Sequence, residues 1–166
     1  MRKQLLLISL LAIGFISSCN VMNRPKNQKV YTQIMATNDS LERKTKEWHQ
    51  LLNTAIIAKD FTKLRQSRMS IGLYLARHRE LVANLQHTEA STPIIEREEV
   101  FLTNQANLVS ELYTPFEYFN AMTPPETMQE QIKLISDDMI NVTAVCTSIR
   151  RELQTFARKN DIKTLK

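Results

Sequence analysis

Glycine is almost absent from this chain of 166 residues, which contains only Gly14 and Gly72. Tight turns between β-strands use glycine wherever the backbone needs a positive φ, so this scarcity disfavours a turn-rich β fold. The sequence also has no glycine-rich loop of the kind that holds a phosphate group. The composition therefore favours helices joined by short connections.

Motifs for catalysis and metal binding are also lacking. The sequence contains no Gly-x-Ser-x-Gly, Ser-x-x-Lys or His-Glu-x-x-His pattern, and no Glu-x-x-His pair like those of di-iron centres in helical bundles. The histidines are His49, His78 and His87, and no two of them lie four residues apart. We expect no catalytic residue, no metal and no cofactor, and we predict a structural role for His78, facing Glu42.

The longest apolar run is short and lies at the N-terminus. The chain begins Met-Arg-Lys, is apolar over residues 5–16 and then has two serines. A helix that spans a bilayer needs about 20 apolar residues, so this run is too short by about a third. A basic start, an apolar middle and a small-residue end are typical of a secretory signal peptide.

The signal ends in Ile16-Ser17-Ser18-Cys19, which resembles the lipobox of bacterial lipoproteins. The resemblance implies cleavage before Cys19, a diacylglycerol on its sulfur and an acylated amino group, and two or more acyl chains anchor a protein stably. By the same resemblance, Asn20 in place of aspartate favours the outer membrane over the inner. The alternatives are a plain signal peptide, or an uncleaved anchor in which Cys19 is incidental.

Four segments follow from these observations. We predict a signal peptide at residues 1–18, a lipidated tether at 19–29, a helical bundle at 30–160 and a basic C-terminal tail at 161–166. The tether is polar, contains Pro25 and would reach about 30 Å if extended at ~3.3 Å per residue. Removing residues 1–18 takes away Arg2 and Lys3 and no acid, which lowers the net charge from +5 to +3. That mild charge, in an exported protein, argues against a nucleic-acid partner.

Beyond residue 29, apolar residues recur at alternating spacings of three and four, the pattern of amphipathic helices. The last segment is the clearest, with an apolar residue at each of these positions: Met128, Ile132, Ile135, Met139, Val142, Cys146, Ile149, Leu153 and Phe156. A capping box at residues 123–126 predicts where that helix starts. Cys146 should therefore be buried, although a disulfide to Cys19 would be the default without lipidation.

Three further helices are predicted upstream. The first runs from Val30 to Ala58, the second follows an N-cap at Asp60, and the third starts at residues 92–93 and continues to Phe119 with a kink at Pro115. Helices of about 27 to 35 residues joined by short loops predict an all-α, up-down-up-down four-helix bundle. The alternative is a three-helix domain with a looser first helix.

The positions of the turns predict which residues lie side by side. A turn near residue 60 places Trp48 beside Gly72. A turn near residue 89 places Arg68 level with Glu111. The same turn places Arg79 level with Glu98 or Glu99. Exposed charge pairs of this kind stabilise by only about 0.2 to 1 kcal/mol each, so they select neighbours more than they add stability.

Aromatic and methionine side chains gather at the predicted end of the bundle that faces away from the membrane. The residues that could line a groove for an apolar ligand or a partner helix are Phe61, Tyr113, Phe116, Tyr118, Phe119, Met122 and Met128. The alternative is a well-packed bundle end.

A separate short stretch, residues 39–41, resembles the O-glycosylation motif of some bacterial envelope proteins.

Basic side chains gather at the opposite end, next to the predicted anchor. The residues that could contact anionic lipid head groups are Arg24, Lys26, Lys29, Arg158, Lys159, Lys163 and Lys166. Arg158 and Lys159 also complement the macrodipole at the end of a helix, which is the alternative explanation for their position.

Together these features predict a lipid-anchored protein of the bacterial envelope, on the periplasmic side or at the cell surface. In architecture it resembles small helical-bundle lipoproteins, and we expect non-covalent interaction with an envelope protein, or a structural role, instead of catalysis. The alternative is a binding protein that holds an apolar small molecule at the aromatic end.

Overall fold

The computed structural model describes the backbone of residues 2–164 and the side chains of residues 23–137 and 139–164. Within these limits it contains four α-helices, α1 (Arg2–Ala58), α2 (Leu64–Ala83), α3 (Thr92–Glu111) and α4 (Pro125–Lys159), and a short 3₁₀ helix (Thr114–Tyr118). All regular structure described is helical, which confirms the predicted all-α class. The side chain of Cys19 and the whole of Lys166 lie outside what is described.

Apolar side chains from all four helices form a common core. The side chains with no exposed surface include Ile34 and Trp48 in α1, Leu75 in α2, Leu102 in α3 and Leu153 in α4. α2 packs against α1 and α3, and α4 packs against the same two helices. Burial of each such side chain is worth about 1.5 to 3 kcal/mol, so the seams that the sequence shows stabilise the fold through contacts between helices.

The segment expected to be an extended tether is helical. α1 continues through residues 20–29 with Pro25 inside it. Asn27 is buried, where its side chain accepts a hydrogen bond from Thr88 and donates one to Asn160. These contacts hold the segment as a helix despite its polar composition and its proline. Ten helical residues span about 15 Å, half the reach of an extended tether.

α2 and α3 are shorter than the sequence predicts, with 20 residues each. The Asp60 carboxylate accepts hydrogen bonds from the backbone N–H and the hydroxyl of Thr62, which forms a local turn, and α2 begins only at Leu64. α3 ends at Glu111 instead of kinking at Pro115. Pro115 has no N–H to donate to the carbonyl of Glu111, four residues earlier, and its ring crowds the preceding turn, so the α-helix does not continue through it.

The capping box predicted for α4 does not form. The Thr123 hydroxyl accepts a hydrogen bond from the backbone N–H of Asn120, at 2.9 Å, and so it belongs to the preceding turn. Pro124 is the N-cap and Pro125 the first helical residue, and neither has an N–H that needs a partner. The predicted start of α4 is therefore correct, but the proline pair marks it.

The predicted pairing of Trp48 with Gly72 is wrong. Nothing lies within 4 Å of the point where a Cβ on Gly72 would sit, and Trp48 stacks on Tyr113 instead. Lys44 reaches Ser70, so α2 is displaced along α1 from the predicted register. The non-helical residues 59–63 explain this, because extended backbone advances about 3.3 Å per residue and helical backbone only 1.5 Å. Arg68 likewise pairs with Glu117 and not with Glu111.

Candidate functional site

α4 is covered by the other helices along only half of its length. In the C-terminal half, Cys146, Ile149, Leu153 and Phe156 are buried. In the N-terminal half, residues 125–145, Ile135 is the only buried side chain among those described. We call these residues the open half of α4. The regular apolar spacing continues through the open half, but the neighbouring helices bury only part of the seam there.

Large apolar side chains are exposed along the open half of α4. Ile140 is 69% exposed and Leu134 is 48% exposed. Just before the helix begins, Met122 is 89% exposed. Exposed apolar side chains that follow one helix are typical of a surface that contacts another molecule.

A cavity of about 310 Å³ lies between α1 and the middle of α4, where the open half meets the buried half. Most of its surface is apolar. The residues that line it are Leu41, Glu42, Thr45, Lys46, Tyr113, Met139, Val142, Thr143, Cys146, Thr147 and Arg150. This volume is at the lower limit of pockets that hold small ligands. The cavity could not be predicted from local patterns, because α1 and α4 are separated by most of the chain.

Arg150 closes the cavity on one side by joining α4 to α1. Its Nη2 donates to the Asp39 carboxylate at 3.0 Å and to the Glu42 carboxylate at 3.1 Å. The hydrogen bonds that Arg150 donates to the Glu42 and Asp39 carboxylates raise the pKa of its guanidinium above the ordinary value. These contacts occupy Glu42, which was predicted to face His78.

Cys146 contributes a buried thiol to the wall of the cavity. It is 7% exposed and forms no disulfide. Burial, with a smaller effect of the negative charges of Glu42 and Glu98, raises the pKa of this thiol to about 11. A thiol that stays protonated at neutral pH is a poor nucleophile, so Cys146 serves here as a small apolar residue.

Glu98 is a carboxylic acid in the core, with no exposed surface. Asn38 donates a hydrogen bond to its Oε2 at 3.1 Å, while Glu98 Oε1 and Asn38 Oδ1 have no partner among the described residues. Burial raises the pKa of Glu98 from 4.5 to about 7, and the hydrogen bond from Asn38 offsets only part of that effect. A proton on Glu98 would supply a donor where two oxygens lack one.

The burial of Glu98 was not predicted, although the sequence contains a signal for it. Steps of three and four from Ile95 give Glu98, Leu102, Gln105 and Val109, all of which are buried. A polar residue at a seam position could therefore have identified Glu98 and Gln105 as candidates for buried polar groups.

His78 is a structural histidine, as predicted, but its partner is different. Its Nδ1 lies 3.0 Å from the Thr37 hydroxyl, and its ring stacks on Tyr74 at 3.9 Å. The Tyr74 hydroxyl donates to the backbone carbonyl of Thr37. Burial, and then the charge of Arg77, lowers the pKa of His78, which favours the neutral ring. The contacts described for the His78 ring are therefore with Thr37 and Tyr74, and not with the predicted Glu42.

The predicted aromatic groove is largely filled. Phe61 and Phe116 are buried, and each contacts the ring of Phe119, at 5.8 and 5.1 Å between centroids. Tyr113 stacks on Trp48 at 3.9 Å and also reaches the cavity. The remaining members are dispersed: Tyr118 and Met122 are exposed and Met128 is half-buried. The structure thus brings the phenylalanines together as packing.

As predicted, the basic N-terminal part of the bundle and the basic C-terminal segment lie next to each other. The side chain of Gln28 donates to the backbone carbonyl of Lys163 and accepts from its N–H, each at 3.0 Å. Arg24, Lys26 and Lys29 are thereby on the same end of the molecule as Arg158, Lys159 and Lys163.

No group of three or more acidic, histidine or cysteine side chains is placed to hold a metal ion in the described part. Within the same residues, no helix combines the length and apolar character that crossing a bilayer requires.

Comparison with known proteins gives no relative for this chain: no protein-family model, curated protein or solved structure matches it. Its function must therefore be argued from the surfaces described above.

Proposed function

We propose that this chain is a lipid-anchored protein of the bacterial envelope that binds a partner protein through the open half of α4. The observation that carries the proposal is the contrast within one helix. The apolar spacing is continuous over residues 128–156, and every seam residue from Cys146 onward is buried. Before Cys146 only Ile135 is buried, while Met139 is exposed and the other seam residues are half-buried. Apolar side chains that the chain itself leaves uncovered favour a second molecule as the cover.

We infer an up-down-up-down arrangement of the four helices, with α1 leading away from the anchor. The contacts support it: Lys44 meets Ser70 while the earlier residue Thr37 meets the later residue His78, so α1 and α2 are antiparallel. Asp39 meets Arg150 and Asn27 meets Asn160, and the same reasoning applies to α1 and α4. In this arrangement Ile140 and Leu134 lie towards the end away from the membrane.

The lipobox supports the anchor. Attachment at Cys19 would hold the protein at a membrane by two or more acyl chains, without a spanning helix. Asn20 favours the outer membrane. Labelling with a clickable fatty acid tests the anchor by itself, because the wild type should be labelled and Cys19→Ala should not. Equal labelling of both would contradict attachment at this residue.

Site-specific photo-crosslinking in intact cells tests the partner surface. A photoreactive amino acid at residue 140, where Ile140 is 69% exposed, should give one dominant protein adduct. The matched control is residue 73 in α2, where Leu73 is 71% exposed, and it should not give that adduct. Mass spectrometry of the adduct identifies the partner. The same adducts at both residues, or none at residue 140, would contradict the proposal.

A second candidate function is binding of an apolar small molecule in the cavity between α1 and α4. The cavity itself favours it, since about 310 Å³ of mostly apolar space opens beside Val142 and Met139. Val142→Trp would fill this space. Loss of a co-purifying apolar compound in that variant, but not in Val145→Trp, supports this function. An identical set of compounds from both variants contradicts it.

A further inference from the structure

Three segments of the chain are joined at the end of the molecule nearest to Cys19. Asn27, which is 3% exposed, hydrogen-bonds Thr88 at 2.7 Å and Asn160 at 2.9 Å. Thr88 belongs to the connection between α2 and α3, and Asn160 follows α4. The double hydrogen bond between Gln28 and the backbone of Lys163 then attaches the C-terminal segment to α1. These hydrogen bonds therefore hold α1, the connection between α2 and α3, and the C-terminal segment next to one another.

This end of the molecule is strongly basic. We call residues 23–31, 84–91 and 157–164 the basal face. Its cationic residues are Arg24, Lys26, Lys29, Arg158, Lys159 and Lys163, all of them exposed. Glu89 and Asp161 are the acidic residues of the same segments. Of the ion pairs found in the described residues, none involves these six cations.

The opposite end of the molecule does not share this charge. Residues 57–66 and 114–130 contain three basic residues, Lys59, Lys63 and Arg65. They also contain four acidic residues, Asp60, Glu117, Glu126 and Glu130. The excess of positive charge is thus concentrated on the basal face. Complementation of the α4 macrodipole accounts for Arg158 and Lys159 but not for the basic residues of α1 or for Lys163.

The helical path of α1 brings the basal face close to the anchor. Arg24 is five residues beyond Cys19, and Lys29 ten, which along a helix is about 8 to 15 Å. An extended tether would have placed the same charges up to twice as far away. Electrostatic attraction in physiological salt decays over about 8 Å, so this shorter distance decides whether the charges are effective.

From this geometry we propose that the basal face binds the anionic head groups of the membrane in which Cys19 is anchored, and that it fixes the orientation of the protein on that membrane. The inference rests on the membrane attachment proposed above. Each basic residue close to an anionic surface strengthens binding roughly fivefold. Removing three of them should weaken binding on the order of 100-fold.

Chemical acylation of lysines in reconstituted vesicles tests the orientation. The full chain is reconstituted in vesicles of phosphatidylcholine alone or with phosphatidylglycerol, and acylation is followed by mass spectrometry. Lys26, Lys29 and Lys163 should react several-fold more slowly in the anionic vesicles, because contact with the anionic head groups shields their amines from the reagent. High salt should abolish the difference. Exposed Lys63 and Lys133 are internal controls and should react equally in both. The same change in both groups of lysines, or in neither, overturns the proposal.

Vesicle flotation separates this inference from the anchor. In the chain that lacks residues 1–18 and carries Cys19→Ala, the triple variant Lys26→Gln, Lys29→Gln and Lys163→Gln should lose binding to anionic vesicles at low salt. The matched triple variant Lys63→Gln, Arg65→Gln and Lys133→Gln removes the same charge and should keep it. Equal binding of the two triple variants overturns the role of the basal face. Failure of fatty-acid labelling at Cys19 would contradict only the anchor.

Discussion

Glu98 should make the stability of the fold decrease as the pH rises through the acidic range. Its pKa in the folded protein is about 7, above the 4.5 of an exposed glutamate, because it is buried. Between these values the folded state binds more protons than the unfolded state, so the free energy of unfolding falls with rising pH. The full shift corresponds to about 3 kcal/mol, lost between about pH 4.5 and 7.

Glu98→Gln keeps the shape and the hydrogen-bonding capacity of the side chain but cannot ionise. Near pH 4 the variant and the wild type should be about equally stable, and at pH 8 the variant should be more stable by about 3 kcal/mol. Tyr74 and Cys146, which sense the charge of Glu98, have raised pKa values and stay protonated in this range. His49 and His78 have lowered pKa values and give the opposite slope, but equally in both proteins.

Urea unfolding followed by the fluorescence of Trp48, the only tryptophan, measures this difference at each pH. Glu96→Gln is the matched control, because Glu96 is exposed on the same helix and its replacement should change the free energy of unfolding by less than about 0.5 kcal/mol. Parallel stability curves for Glu98→Gln and the wild type from pH 4.5 to 8 would refute the reasoning. Such a result would mean that Glu98 is charged in the folded protein at little cost.

Three further predictions concern the core, Gly72 in α2 and the open half of α4. In the Cys19→Ala background, Cys146 should react with a disulfide reagent at pH 8 about 100-fold more slowly in the folded protein than in urea. The cause is its pKa of about 11 instead of 9.0, and equal rates would contradict it. Gly72→Ala should raise the free energy of unfolding by about 0.5 to 1 kcal/mol, since the added methyl group has open space and alanine favours a helix interior; a lower melting temperature would count against this. Leu153→Ala should lower the free energy of unfolding by about 2 to 5 kcal/mol and Leu134→Ala by less than about 1 kcal/mol, because Leu153 has no exposed surface and Leu134 is 48% exposed. Equal losses in urea unfolding would contradict the exposure of the open half of α4.

Much of the secondary structure could be predicted from local patterns. The spacing from Met128 to Phe156 predicted the longest uninterrupted seam, and α4 spans Pro125–Lys159. The start of α3 at Thr92 agreed with its threonine-proline signal. The ends of α2 and α3 were less predictable, because local turns such as the one at Asp60 compete with another helical turn on nearly equal terms. Residues 20–29 were mispredicted because their helix depends on Asn27, whose partners are remote in sequence.

The candidate sites also differ in whether local patterns could predict them. Charge and composition were enough to predict a basic surface at the end of the molecule nearest to Cys19, since the basic residues can be read directly from the chain. The aromatic groove could not be judged from composition, because the same rings either line a groove or pack together. The cavity and the pair of Glu98 with Asn38 depend on which residues of distant helices meet, and no local spacing specifies that.

By itself, the sequence determined the helical class, the seam that each helix offers for burial, and the motif at Cys19 whose resemblance to a lipobox leads us to propose an anchor. These are local properties, set by the helical repeat and by short motifs. Only the tertiary structure decided which half of the α4 seam is covered, which face Trp48 packs against, and that Glu98 loses its contact with water. These outcomes depend on the lengths of the neighbouring helices and on the path of the connections, and a shift of a few residues in either changes every contact between the helices.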